Sequence, residues 1–185
     1  MKKNILVCGF TLIELLVVIS IIALLAATIL ASLNSARQKS RDARRIADIK
    51  QLRTALEIFY DKQAPAPQYP QALATCNTGA GQFYGLEALT ASGVIPQIPV
   101  DPSGGCYKYT ANAAAPYTTY HLGASLEQIS NPAKDLDKDC NSTGTPVGCP
   151  LVAAGAYGPA GTPFNGADGA GCAGEAAKLC YDLVP

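Results

Sequence analysis

From Phe10 to Leu33 the chain is apolar apart from a few hydroxyl side chains and one carboxylate, Glu14. A run of this length reaches the roughly 20 residues that a bilayer-spanning helix needs. From Ser35 to Tyr60 the pattern changes: apolar side chains recur at Ala43, Ile46, Ile49, Leu52, Leu56 and Phe59, three or four apart, with no Gly or Pro between them. That spacing predicts an amphipathic helix. Joined, the two stretches predict one helix from about Phe10 to Tyr60, about 75 Å long at 1.5 Å per residue, ended by Pro65 and Pro67. Its first half is apolar all round, whereas its second half carries a single stripe with which to cover a small C-terminal domain.

The remainder reads as short elements. Leu86 to Ser92 predicts a brief helix stopped by Gly93, and Ile98 to Gly105 a turn-rich loop. Residues 106–110 and 117–122 are rich in Tyr and Thr and separated by a short Ala- and Pro-containing link, which predicts a β-hairpin. Beyond Glu127 the hydrophobic runs are short and Gly, Ala, Pro, Thr and Asn abound, so loops without regular elements are expected. The stretch from Ala153 to Ala177 is biased toward Gly and Ala. The fold class predicted is α+β, a long N-terminal helix packed on a small antiparallel sheet.

Glu14 changes this picture most. An ionisable side chain within a membrane segment costs roughly 2.5 to 3.5 kcal/mol on insertion scales and so asks for a partner. If the chain is cut after Gly9, Phe10 becomes the N-terminus and its amine, with a reference pKa of about 7.7 to 8.0, is largely protonated at neutral pH. Amine and carboxylate then lie one helical turn apart, and in a bundle of such helices the acid of one copy can neutralise the amine of the next. This is assembly chemistry. A plain signal anchor explains the hydrophobicity but not Glu14; a cleaved secretory signal has a shorter apolar core of about 7 to 15 residues. Lipidation at Cys8 fails because the apolar stretch follows the cysteine.

The run Gly9-Phe10-Thr11-Leu12-Ile13-Glu14-Leu15-Leu16-Val17-Val18-Ile19 resembles the processing site of type IV prepilins and of the pseudopilins of type II secretion. The resemblance implies a pilin-like fold, cleavage after Gly9 by a prepilin peptidase, methylation of Phe10, and a register-setting role for Glu14. It divides the chain into a leader (1–9), a transmembrane and assembly helix (10–33), its amphipathic continuation (34–62) and an extracytoplasmic head (63–185). Cys8 stands where the family usually has Lys or Gln, and Ala31 where many members carry a kinking Pro. Pro99-Val100-Asp101-Pro102-Ser103-Gly104 followed by Tyr107-Lys108-Tyr109 is similar to a stretch of major pseudopilins, with Ser103 in place of the usual Trp and Cys106 extra.

Removal of the leader would leave six of the seven cysteines, Cys76, Cys106, Cys140, Cys149, Cys172 and Cys180. An even count in a Gly/Pro-rich region predicts disulfide-stapled loops in an oxidising compartment. Fifteen pairings are open; pairing of neighbours, Cys76–Cys106, Cys140–Cys149 and Cys172–Cys180, is the one expected here. No C-x-x-C spacing occurs, which weighs against structural zinc and thioredoxin-like chemistry. Lys2 and Lys3 flank one end of the apolar run and Arg37, Lys39, Arg41, Arg44 and Arg45 the other, so a simple charge count predicts the opposite topology. The need for an oxidising space and the family resemblance instead place the N-terminus in the cytoplasm and the head outside the cytoplasmic membrane.

Formal net charge is zero, yet residues 34 to 53 hold seven Lys/Arg and two Asp, while the chain after Arg53 holds eleven Asp/Glu and five Lys/Arg. The basic run reads as a solvated face, poised to meet the acidic surface of a neighbouring copy through residues such as Arg44 and Arg45. Clustered cations also attract nucleic acid or anionic lipid, but no interleaved aromatics or nucleic-acid-binding motif accompany them, so nucleic acid is expected only as pilus cargo. Asp135, Asp137 and Asp139 alternate as oxygen ligands for calcium would, and related pseudopilins bind calcium through a C-terminal loop; the EF-hand pattern is not met, with Cys140 and Pro146 at its sixth and twelfth positions. A solvated acidic turn is the competing reading. His121, the only histidine, lies in an expected strand without a nucleophile motif, so pairing or packing is expected rather than catalysis.

These readings converge on a structural, non-enzymatic subunit of a homo-oligomeric helical filament. The resemblance implies an assembly ATPase, a membrane platform protein and the prepilin peptidase as partners. A type II secretion pseudopilin forming a piston-like pseudopilus is expected; the alternative is a type IV pilin of a surface fibre for adhesion, twitching motility or DNA uptake. A membrane-tethered enzyme lacks an assembled catalytic set, and a tethered binding head is compatible with the same architecture.

Overall fold

The computed structural model describes residues 10–73, 76–111, 115–128, 130–133 and 179–185. The chain divides into two compact units, Met1–Gln38 and Lys39–Pro185. One helix, α1 (Leu12–Lys62), contributes to both and ends two residues beyond the expected Tyr60. Within the first unit the described side chains from Phe10 to Arg37 are exposed, including Leu12, Ile13, Leu24 and Ile29. By length and composition this helix can cross a membrane.

The second unit follows α1 with β1 (Cys76–Asn77), a 3-10 turn (Thr78–Ala80), β2 (Gln82–Phe83), α2 (Glu87–Ala91), β3 (Lys108–Ala111), β4 (Tyr120–Leu126) and β5 (Leu179–Leu183). The strands form a two-stranded ladder, β1-β2, and a three-stranded antiparallel sheet in the order β3-β4-β5. The expected hairpin is β3-β4, in the register Thr110 opposite His121 and Tyr109 opposite Leu122. Its second strand starts three residues later than expected and runs on to Leu126. The short helix α2 lies inside the expected span and is followed by Gly93 at φ +68°.

Three strands depart from expectation. β1 and β2 pair as two-residue strands, and β5 lies in the region read as loops, with Leu122 opposite Leu183 and Ala124 opposite Tyr181. Leu179-Cys180-Tyr181-Asp182-Leu183 does alternate, but five residues beyond a Gly/Ala-rich stretch carry too weak a local signal to specify a strand. Pairing with β4 supplies the register, and register is what puts Tyr181 and Leu183 on the buried face.

Ile49, Leu52, Ala55, Leu56 and Phe59 of α1 form one core with Tyr109 and Ala111 of β3, Tyr120, Leu122, Ala124 and Leu126 of β4, and Tyr181 and Leu183 of β5. Full burial of each large aliphatic side chain contributes about 1.5 to 3 kcal/mol. Ala43, expected on this stripe, is exposed, and the buried face continues toward the N-terminus through Arg45 and Asp42 instead. Gly85 closes the approach of the chain to α2: at φ +98°, a Cβ there would lie 2.0 Å from the Gln71 carbonyl oxygen, so only glycine fits.

Candidate assembly site

Thr11 immediately precedes the first turn of α1, and Glu14 lies within that turn. The Glu14 carboxylate accepts from the Thr11 backbone N–H at 2.9 Å and from its hydroxyl at 2.6 Å, while the Glu14 N–H donates to the Thr11 hydroxyl at 3.3 Å. This is a capping box, in which Thr and the acid three residues on satisfy each other's backbone donors at a helix start. The two residues therefore present a carboxylate held against its own helix end in an otherwise apolar surface. Ser20 and Thr28 return their hydroxyls to the helix carbonyls of Leu16 at 2.7 Å and Leu25 at 2.9 Å, which removes the cost of bare hydroxyls in lipid. Phe10 is exposed; Gly9 lies outside the described residues.

A second charged site ties α1 to the head within Lys39–Pro185. Arg45, with only 3% of its side chain exposed, donates through Nε and Nη2 to both oxygens of Asp101 at 2.7 and 3.0 Å. Its Nη1 donates to Asp42 at 2.8 Å and to Glu127 at 2.8 Å. Arg41 makes a forked pair with Glu127, its Nε at 2.7 Å from Oε1 and its Nη2 on Oε2. The fully buried Asp42 accepts the backbone N–H groups of Glu127 and Gln128, both at 2.9 Å, just beyond the end of β4. Asp101 also accepts the Ser103 N–H at 2.8 Å, and its loop is closed by Gly104 N–H to the Asp101 carbonyl at 2.7 Å. Two guanidinium groups and three carboxylates thus share one partly buried cluster.

The electrostatics follow from that geometry. Hydrogen bonds from Arg41, and then from Arg45, hold Glu127 down at about 2 against the opposing effect of burial. Burial pushes Asp101 up, but the bonds from Arg45 and Ser103 outweigh it and leave its carboxyl below the usual range. For Arg45, burial disfavours the charge, yet Asp101, Glu127 and Asp42 together raise its pKa above that of free arginine. This corrects the expectation of a solvated basic face in part: Arg45 is bound within its own chain and Arg41 pairs with Glu127, whereas Arg37, Lys39, Lys50 and Arg53 are exposed and Arg44, 65% exposed and 3.8 Å from Asp48, keeps the solvated character.

A tyrosine network fixes the other end of the helix. Glu57 accepts hydroxyls from Tyr69 at 3.0 Å and Tyr120 at 2.9 Å, and Tyr107 donates to Asp48 at 2.6 Å. Burial, followed by these carboxylates, raises the pKa of all three phenols, so they stay protonated donors. His121 is buried and pairs with Asp182 of β5; burial lowers its pKa, outweighing the carboxylate.

Cys76 and Cys106 are joined by a disulfide that staples β1 to the loop before β3. The expected partners Cys140, Cys149 and Cys172, and the calcium candidates Asp135, Asp137 and Asp139, lie outside the described residues, as does the side chain of Cys180. Among the described residues no group of three or more His, Cys, Asp or Glu is arranged to hold a metal ion. The sequence reading missed Asp42, Arg45, Asp101 and Glu127 as a set. One signal was present: counting back from Phe59 through Leu56, Leu52 and Ile49 in steps of three and four lands on Arg45 and Asp42.

A long apolar N-terminal helix with a boxed acid in its first turn, continued into a helix that packs on a small antiparallel sheet, defines a pilin-type subunit. Residues 7–30 match the family described as prokaryotic N-terminal methylation motif. The chain is 32% identical over 120 residues to the type II secretion system core protein G of Pseudomonas aeruginosa, an alignment covering 63% of this chain and 82% of that protein. It is 30% identical over 100 residues to the protein of the same name from Klebsiella michiganensis, covering 54% and 70% of the two chains, and 29% identical over 121 residues to that of Vibrio cholerae, covering 59% and 74%. No solved structure gives a significant match. The chain belongs to the type II secretion system core protein G family.

Proposed function

We propose that this protein is the structural, non-enzymatic subunit of a piston-like pseudopilus that drives protein secretion, anchored before assembly in the cytoplasmic membrane with its N-terminus inside and its head outside. The observation that carries this reading is the boxed carboxylate of Glu14 in an exposed helix surface that is otherwise apolar but for a few hydroxyl side chains. Cleavage after Gly9 and methylation of Phe10 would create the amine that Glu14 of an adjoining copy neutralises, and an ion pair formed in apolar surroundings is far stronger than one in water. A prepilin peptidase, an assembly ATPase and a platform protein are the partners this role requires. Calcium bound near Asp135, Asp137 and Asp139 would be an accessory to the head.

The test is mass spectrometry of the native protein together with filament assembly by a Glu14→Ala variant. The expected results are an N-terminal methyl-Phe10 and a loss of most sheared filaments in the variant, with the variant still membrane-inserted. An unprocessed N-terminus, or fibres from Glu14→Ala as abundant and ordered as those of the parent, would refute the reading.

A further inference from the structure

A groove of about 490 Å³ runs between the outer side of α1 and the sheet, lined by Lys50, Arg53, Glu57, Ile58 and Asp61 of α1 and by Leu183 of β5, among others. Its floor has an apolar component, since Ile58 is 45% exposed. Its charges are ordered along the helix, basic at Lys50 and Arg53 and acidic at Glu57 and Asp61. Glu57 is committed to the tyrosine hydroxyls, but Asp61 is exposed.

The same chain carries a complementary surface. On α1, Lys39 and Arg44 are exposed and flank Ser40 and Ala43, which with Ala47 one turn further on are also exposed and small enough to let another helix come close. Arg45 and Arg41 are consumed by the internal cluster, whereas Arg44 is held only by the long contact to Asp48.

We infer that this groove is the seat of a second copy of the chain, whose Lys39–Ala47 segment lays its small residues on Ile58 and brings Arg44 to Asp61. The inference rests on the filament reading, because copies anchored by the same N-terminal segment lie with their helices parallel. Parallel packing aligns the basic segment of one copy with the acidic end of the groove of another only if the two are staggered. Asp61 lies 17 positions beyond Arg44, so the stagger is about 26 Å along the axis at 1.5 Å per residue. The same stagger sets Lys39 against Glu57 to within one residue. Within one copy residues 44 and 61 are that same distance apart on a single helix, so any direct bond between them joins different copies.

Charge swapping in the full-length chain, expressed with its secretion apparatus, tests this. Arg44→Glu and Asp61→Lys are each expected to cut sheared filaments about fivefold, the size of effect a repeated, partly screened ion pair gives. The double variant is expected to recover them, and Asp61→Lys should leave the melting temperature of the detergent-solubilised subunit unchanged, whereas Arg44→Glu, which sets a second carboxylate beside Asp48, should lower it slightly. A chain carrying Arg44→Cys and Asp61→Cys should yield a ladder of oxidised multimers that neither single cysteine gives. Single swaps that assemble like the parent, a double variant no better than either, or the absence of the ladder would overturn the inference. Normal filaments from Asp61→Lys with failed secretion would assign the groove to a different protein and overturn it as well. A parent that forms no filaments would instead refute the filament reading on which it rests.

Discussion

Replacing Arg45 with Met removes the charge at the centre of the helix-to-head cluster while keeping most of the volume of the side chain. Four hydrogen bonds to Asp101, Asp42 and Glu127 are lost at once. Arg41 then holds Glu127 alone among the three carboxylates, Asp101 loses its guanidinium partner, and the buried Asp42 retains only its backbone donors among these partners. Breaking a buried pair by deleting one partner costs about 3 to 5 kcal/mol, because the remaining charge keeps its desolvation penalty. For a folded unit of this size each kcal/mol moves the midpoint by about 2 to 4 °C, so a fall of roughly 6 to 20 °C is expected. Near-ultraviolet circular dichroism of the solubilised full-length chain is the suitable probe, since the chain has nine Tyr and no Trp, and Tyr107, Tyr109 and Tyr120 are buried in the head.

Acidification should weaken the cluster. Glu127 is held at about 2 in the folded chain against an ordinary 4.5, and Asp101 is likewise depressed. A carboxylate with a lowered folded pKa adds stability that is fully present above its unfolded pKa and is lost as pH falls through the folded one. Arg41 still holds Glu127 in the variant, so the difference lies mainly in Asp101: the penalty of Arg45→Met should be full at pH 6 and shrink as pH falls below about 4, where the parent loses the Arg45–Asp101 contribution that the variant lacks. A loss below about 1 kcal/mol at neutral pH, or a penalty that grows on acidification, would refute the role assigned to the cluster.

Two further outcomes follow from the packing. Leu52→Ala, at a fully buried position where α1 enters the common core, should cost about 2 to 5 kcal/mol in denaturant titration of the solubilised chain; a cost under 1 kcal/mol would mean that α1 does not pack on the sheet in solution. Gly85→Ala must push its Cβ away from the Gln71 carbonyl at a positive φ, so a loss of about 1 to 3 kcal/mol is expected; an unchanged thermal midpoint would count against the close approach.

Local chemistry is what made the N-terminal half legible. Membrane length, the helical rhythm from Ile46 to Phe59 and the lone Glu14 are properties of neighbouring residues, as are the Tyr/Thr alternation of the β3-β4 hairpin and the glycine stop after α2. Those patterns determined an anchor, a continuous helix, an α+β head and a reading as a filament subunit before any long-range contact was considered. Tertiary structure decided what depends on residues far apart in the chain. β5 exists because β4 offers it a register across more than fifty positions, and no local signal of five residues could specify that pairing. Arg45 reads as a solvated cation until Asp101 and Glu127, 56 and 82 positions away, are brought against it. A charge on a helix is assigned to solvent or to a partner by burial and by which carboxylates the fold delivers, and those are set by the packing of α1 on the sheet.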